Sequence, residues 1–258
     1  MDNFSCQSEE YSKFRPTYSK KMYEWLTLHM DCTNLAIDFA TGNGQNAVGL
    51  SNHFSHVIGV DISQKQLDSA YKRPNIKYIN SAAEKYNEEC KEGTVDLVTI
   101  AQALHFLDIS EFMKKCSGLL KTNGIFFAFA YIYPQCKDSY EINKFLDYYY
   151  YDALADYWED FRKIVNRKYI DIVLPDDFIS IDCTDMPDEC KKVERIWSKE
   201  DLINYMKTWT AFQFMLKTDS DMYAYHISNI DIELNKLFSK ETKMKFEFEL
   251  FFICGKKK

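Results

Sequence analysis

With 258 residues, 46% of them hydrophobic, the chain is long enough to bury a sizeable core, either as one large domain or as a domain carrying an elaborate insertion. Its 32 Lys and Arg against 39 Asp and Glu leave a formal charge of −7, which disfavours non-specific nucleic-acid binding. No early stretch joins a basic start to a long apolar core, and no run of about 18 apolar residues occurs, so neither a signal peptide nor a membrane span is expected.

Residues 1–16 are polar and end in the stretch YSKFRPTY (residues 11–18), where Pro16 suits the first turn of a helix. Met22, Trp25, Leu26, Leu28 and Met30 then follow at broadly helical spacing, so residues 20–30 predict a helix able to cover a site. Arg15, just ahead of it, either pairs with a ligand carboxylate or stacks on Phe14 or Tyr18 at the surface.

The stretch LAIDFATGNGQNAVGLSNHFSHVIGVD (residues 35–61) organises the chain. An apolar run ends in Asp38, a glycine turn holds Gly42 and Gly44, residues 45–53 fit a helix, and Val57–Val60 is a second apolar run ending in Asp61. In a parallel α/β unit, backbone N–H groups at the start of that helix and an acid at the end of the second strand form a nucleotide-type cofactor site. Gly42-x-Gly44-x-x-Ala47 with Asp61 about twenty residues on also satisfies the dinucleotide fingerprint. Charge separates the two ligands: a pyrophosphate here would be repelled by Asp38 with about 4 kcal/mol at 4 Å and an effective dielectric of 20. S-adenosylmethionine instead brings a sulfonium and an ammonium to the turn and ribose hydroxyls to Asp61. On that reading Asp38 faces the cationic end; the alternative is that it merely caps the turn through its own backbone.

Beyond Asp61, Ser63-x-x-Gln66 has the form of a capping box, Pro74-Asn75 ends the helix it opens, and Ile76–Ile79 alternates as a third strand. Ser81, Ala82, Ala83 and Glu84 follow; small residues there leave room for a flat ring, or simply lead into a helix. Val95–Ala101 is a fourth strand that leaves Gln102 and His105 at its carboxyl edge. Residues 110–120 make a helix, Asn123-Gly124 a turn, and Ile125–Ala130 a fifth strand, so right-handed crossovers and a parallel sheet are expected.

The regularity stops at Tyr131. Residues 131–190 carry 14 acids against 6 bases and the aromatics Tyr148–Tyr151, Tyr157, Trp158 and Phe161. This predicts an inserted, largely helical cap whose aromatics either line a pocket or pack. Its basic cluster Arg162, Lys163, Arg167 and Lys168 reads by default as a solvated helix face. Phe178–Cys183 alternates as a strand, Ser198 caps a helix to about Lys207, a further helix covers 221–238, and Met244–Cys254 reads as one long last strand before a solubilising lysine tail. The eight cysteines form no C-x-x-C pair and read as reduced core residues of a cytosolic protein; no metal site is expected.

With these pieces placed, the chain resembles the class I S-adenosylmethionine-dependent methyltransferases, in particular the small-molecule branch that includes trans-aconitate methyltransferases. The resemblance rests on Tyr11-x-x-x-Arg15-Pro16-x-Tyr18, Asp38-x-x-Thr41-Gly42-Asn43-Gly44-Gln45, Val57–Ser63, Ala83-Glu84, Val95–Val98 leading to Gln102 and His105-Phe106, and Thr208–Ala211. It implies a Rossmann-like α/β fold: a seven-stranded, mostly parallel sheet with an antiparallel last strand, helices on both faces, and a helical cap after the fifth strand. Residues 1–258 would be one domain, with a covering helix (1–30), a cofactor-binding core (31–130), a substrate cap (131–190) and carboxyl-terminal helices with the last strand (191–258). It implies that S-adenosyl-L-methionine, leaving as S-adenosyl-L-homocysteine, meets Tyr11, Arg15, Asp38, Ala40, Gly42, Gly44, Asp61, Ile62, Ala82, Ala83 and Gln102. The family turn usually begins with a glycine where this chain has Ala40, and Ala fits there only at negative φ.

Methyl transfer is an in-line displacement in which the protein chiefly aligns a nucleophile and excludes water. A hydroxyl acceptor would need a base, for which His105 is the best-placed residue, whereas a carboxylate or neutral amine would leave His105 an orienting or structural role. The family points to O-methylation of a small carboxylic acid, with Arg162, Arg167 or Arg195 assisting, in a pocket of Tyr18, His105, Tyr131, Trp158, Arg162 and Trp209. The acidic cap instead suits an amine, and so N-methylation. A non-catalytic S-adenosylmethionine-binding interaction module and a nicotinamide oxidoreductase are the remaining alternatives. The expected setting is a cytoplasmic monomer or weak dimer whose partner is a small methyl acceptor, not nucleic acid or membrane.

Overall fold

Leu35–Phe39 (β1) has its Ala36, Ile37, Asp38 and Phe39 sealed from solvent, as a strand covered on both faces must. In the computed structural model, which describes residues 18–86, 91–239 and 242–258, β1 pairs in parallel with His56–Asp61 (β2) and with Val95–Ala101 (β4). Ile76–Asn80 (β3) extends the sheet beyond β2, and Leu120–Ala130 (β5) lies beyond β4. Phe251–Lys257 (β10) then runs antiparallel beside β5, and Phe178–Ser180 (β7) closes the far edge. The seven strands have the order β3-β2-β1-β4-β5-β10-β7, parallel except for β10, which is the predicted fold.

Helices cover both faces. On one face lie Lys20–Leu28 (α1), capped by Ser19, and Gln45–Leu50 (α2), packed on Ala36, Val57, Leu97, Phe127 and Phe129. Ile109–Leu119 (α4) packs on Ile37, Phe39, Phe126 and Ala128 of the other. Gln64–Asp68 (α3) is opened by Ser63, whose side chain accepts from the Gln66 N–H. The fifth strand starts earlier than its apolar run suggests, because Asn123-Gly124 forms a bulge inside it: Val95 faces Leu120, but Leu97 faces Ile125.

Above the main sheet sits a second body. It holds Tyr140–Asp147 (α5), a π-helical turn over Tyr148–Ala153, and a three-stranded sheet of Gln135–Cys136 (β6), Met244–Glu249 (β9) and Lys192–Trp197 (β8) in the order β6-β9-β8. Lys199–Lys207 (α7), Thr210–Thr218 (α8) and Ser220–Leu237 (α9) complete it around one apolar cluster. Arg162–Asn166 (α6) instead lies against the main sheet, where Val165 joins the core.

Three expectations are corrected. The run 244–254 is two strands in two sheets, separated at Leu250, whose N–H bonds to the Lys191 carbonyl at 2.8 Å. The pattern marks the break: Phe246 and Phe248 alternate with charges, as a half-buried strand requires, whereas residues 250–254 are continuously apolar, as a strand covered on both faces requires. The strand at 178 stops at Ser180 rather than Cys183, since Asp182 turns back to cap the Thr184 N–H. The lysine tail is paired: Lys256 and Lys257 lie in β10, and the Lys258 N–H donates to the Asp177 carbonyl at 2.8 Å. Among the described residues, no helix is long and apolar enough to cross a membrane.

Candidate cofactor and acceptor site

The turn after β1 is held by a buried carboxylate. Asp38 Oδ1 accepts from Asn46 Nδ2 at 2.7 Å and from Thr99 Oγ1 at 2.9 Å, and Oδ2 accepts from Thr41 Oγ1 at 2.5 Å. The Tyr23 hydroxyl of α1 in turn donates to Asn46 Oδ1 at 3.0 Å. Burial pushes the Asp38 carboxyl up to about 6, against the hydrogen bonds that favour its ionised form. With no exposed surface, Asp38 organises the turn from within through the side chains of Thr41, Asn46 and Thr99, not through the backbone.

Ala40 has φ 49, Gly42 has φ 56 and Gly44 has φ 81, so the turn uses left-handed backbone at three alternate positions. The expectation of negative φ at Ala40 is thereby corrected: alanine stands where the chain path itself calls for glycine. At Gly44 a Cβ would lie 2.0 Å from the Tyr78 hydroxyl, which is tied to the Tyr71 carbonyl. The space beside Gly42 is open, with Gln66 Oε1 the nearest atom to a Cβ built there, at 3.9 Å.

Asp61 closes the turn from β2. Its Oδ2 accepts the Gly42 N–H and its Oδ1 the Ser63 N–H, both at 2.8 Å. Beside it Ile62 is 59% exposed, an unusual placement for so large an apolar side chain. Asn80 Nδ2 ties the Asp61 and Ile62 carbonyls to the end of β3, where Ala82 is half-buried and Ala83 is packed into the core. Gln102, at the end of β4, has φ 61 and a buried Nε2 without a hydrogen-bond partner among the described residues. A strained backbone and an orphaned buried donor at one residue mark a place built for a ligand. Open space at Gly42, the exposed Ile62 and the unspent Gln102 amide fit a cofactor with an aminoacyl end and a flat apolar ring. Tyr11 and Arg15 lie outside the described residues.

His105 sits in a 3-10 turn over Leu104–Phe106, 5% exposed, with its Nδ1 2.8 Å from the Tyr169 hydroxyl. Burial, helped by the Arg162 charge, lowers it to about 3. So weak a base leaves the general-base role without support, and its contacts follow the orienting role instead. Tyr169 has φ 61 and follows Lys168 at φ 51, two successive left-handed residues at this contact.

Arg162 lies next to this pair. Its guanidinium stands 4.5 Å from the Tyr150 ring centroid and 4.6 Å from that of Trp158, and its Nη2 donates to the Ile132 carbonyl at 3.4 Å. Trp209, 3% exposed and with a buried indole N–H lacking a hydrogen-bond partner among the described residues, packs on Tyr133, Tyr150 and Trp158. The structure thus brings His105, Trp158, Arg162 and Trp209 together. Tyr18 lies edge-on to Phe129 and Tyr131 edge-on to Phe248. Arg167 and Lys168 pair with Asp171 and Glu249, away from the box.

Sequence reasoning missed Asn46, Thr99, Tyr133, Tyr150 and Tyr169. A threonine inside the otherwise apolar run 97–101 of β4 was the one signal for the Asp38 network. The four tyrosines at 148–151 pointed to the box without singling out Tyr150, because which of them faces inward depends on the π-helical turn.

Comparison with known proteins agrees with this geometry. The family model described as a methyltransferase domain matches residues 37–128, from β1 through most of β5. A Dictyostelium discoideum protein described as a methyltransferase is 29% identical over 99% of this chain and 95% of its own length. The Saccharomyces cerevisiae S-adenosylmethionine-dependent methyltransferase CRG1 is 28% identical over 60% of this chain and 55% of its own length. Among solved structures, one described as a type II methyltransferase from Anaeromyxobacter dehalogenans superposes with a TM-score of 0.79 at 22% identity, covering 94% of this chain and 98% of that one. By strand order and by these likenesses, the chain has the fold of the class I S-adenosylmethionine-dependent methyltransferases, with residues 37–128 matching the methyltransferase-domain model.

Proposed function

We propose that the protein methylates a small molecule at a carboxylate oxygen. When bound, S-adenosylmethionine supplies a methyl group carried on a sulfonium. The chain's own part is to receive the cofactor at Gly42, Asp61, Ile62 and Gln102, to fix the acceptor and to keep water out.

Arg162 carries the reading of the acceptor. Stacking on Tyr150 and Trp158 fixes the plane of its guanidinium, and a planar fork of N–H donors matches a carboxylate. A carboxylate brings no proton to be removed, which suits a site whose histidine is too weak a base to take one. The amine reading rested on the acidity of the cap. Asp147, Asp152, Asp156, Glu159 and Asp160 are all exposed, so that charge is a solvated surface, while the cation among the aromatics belongs to the chain itself.

The test is incubation with methyl-labelled cofactor and a fractionated metabolite extract. The expected product is a labelled small molecule that loses its label in mild alkali, as a methyl ester does. Arg162→Gln is expected to lower kcat/KM for that acceptor roughly 10- to 100-fold while S-adenosylhomocysteine still binds. Label that resists alkali, or that enters only protein or nucleic acid, overturns the proposal. Cofactor binding without turnover on any fraction would favour the non-catalytic alternative.

A further inference from the structure

At the β7 edge of the main sheet, four strands from β1 and so about 19 Å away at ordinary strand spacing, a cleft of about 1200 Å³ opens between the 166–174 segment and the 181–184 turn. The methyl-transfer reading makes no use of it. Two cysteines stand in its wall: Cys183, half-buried in the turn, and Cys254, buried in β10. The Ile181 N–H donates to the Cys254 carbonyl at 2.9 Å, which holds the start of the 181–184 turn against β10, and Cys183 packs against the apolar cluster that contains Cys254. The Cys183 thiol donates to the Ile181 carbonyl at 3.8 Å, on the residue whose N–H bonds to Cys254, so both thiols face the one cleft and each shifts the other's titration. The other described cysteines, 32, 116, 136 and 190, do not line this cleft.

We propose that Cys183 and Cys254 are a peroxide-sensitive dithiol that closes reversibly to a disulfide. The roles differ. The neighbouring Cys254 thiol holds Cys183 below the usual thiol range, and Lys191 nearby acts in the same direction, against burial and the Asp182 and Asp185 carboxylates. Cys254, the deeper of the two, is held in its protonated form. The Cys183 thiolate attacks one peroxide oxygen, the O–O bond breaks, and the other oxygen leaves as hydroxide, giving a sulfenic acid. The Cys254 sulfur then attacks that of Cys183; the S–O bond breaks, and the departing hydroxide takes the Cys254 proton to form water. Two thiols and one peroxide thus yield one disulfide and two waters.

The bond would pin the 181–191 segment to the main sheet, and α1 sits on that segment. Trp25 Nε1 donates to Asp185 Oδ1 at 3.1 Å, Lys21 pairs with Glu189, and Met186 and Cys190 share a cluster with Met22 and Trp25.

The test treats the full chain with hydrogen peroxide, blocks free thiols with an alkylating agent and maps peptides by mass. The expected result is a 183–254 cross-linked peptide and the loss of two alkylatable thiols, both restored by dithiothreitol. Cys254→Ser should leave Cys183 trapped as a sulfenic acid that reacts with dimedone, and Cys183→Ser should leave Cys254 reduced. Wild-type protein in which both thiols stay alkylatable, or in which Cys183 proceeds to sulfinic acid without the cross-link, overturns the proposal whether or not either variant folds.

Discussion

Gly42 donates its backbone N–H to the Asp61 carboxylate across 2.8 Å, so the turn after β1 and the end of β2 hold one another through a charge-assisted bond. The same carboxylate fixes the Ser63 N–H at the start of α3. Asp61→Ala is therefore expected to loosen both loops and to weaken S-adenosylhomocysteine binding about 10- to 100-fold. Asp61→Asn keeps an acceptor oxygen and is expected to lose less. Titration calorimetry on the two variants checks the order; equal affinity of wild type and Asp61→Ala would remove Asp61 from the site.

Ala40 at φ 49 stores backbone strain that glycine would release. Ala40→Gly is expected to stabilise the protein by about 1 kcal/mol, seen as a rise of roughly 2–4 °C in Tm. A fall in Tm would show that the Ala40 methyl is held by packing worth more than the strain.

Gly44→Ala should act in the opposite direction, since it adds both a left-handed alanine and a collision with the Tyr78 hydroxyl. The expected loss is about 2 kcal/mol or more in urea unfolding. In a Tyr78→Ala background the collision disappears and the backbone part remains, so the added loss should shrink to about 1 kcal/mol.

Two buried groups give pH dependences of opposite sign. Asp38 stands at about 6 folded against an ordinary 3.8, so the folded state holds the extra proton between those values, and the Asp38 contribution to stability falls as pH rises from about 4 to 6. The difference corresponds to about 3 kcal/mol. His105 stands at about 3 against an ordinary 6.5; its contribution is whole above pH 6.5 and is lost as pH falls from there toward 3. Thermal unfolding from pH 4 to 6.5 should show Asp38→Asn gaining on wild type as pH rises and His105→Gln gaining as it falls. Parallel curves for either variant would contradict its assignment.

The parallel half of the fold was legible because each of its strands is a short apolar run ended by a turn residue, and five such runs alternate with helical spacing. The glycine turn was legible because its chemistry is local. What lay beyond reach depends on contacts distant in sequence. Nothing around Asp38 announces that Asn46 and Thr99 will both bond its Oδ1 while Thr41 takes Oδ2. Arg162 was named with Arg167 as one cluster, yet only Arg162 meets Tyr150 and Trp158. The division of 244–254 between two sheets was present in its change from alternation to a continuous apolar run at Leu250, but no turn residue separates the two parts, so they read first as a single strand.

The break at Leu250 has a mechanical corollary. The polypeptide passes between lower and upper bodies at Ala130–Tyr131, at Lys191–Lys192 and at Leu250–Phe251, and these threads touch: Phe251 is the register mate of Ala130, and the Leu250 amide grips the Lys191 oxygen. Three hinges stitched at one seam leave rotation about that seam as the rigid-body freedom that tears none of them, and the fourth passage, through Trp158 and Arg162, is where such a swing would be felt as a change in the width of the aromatic box.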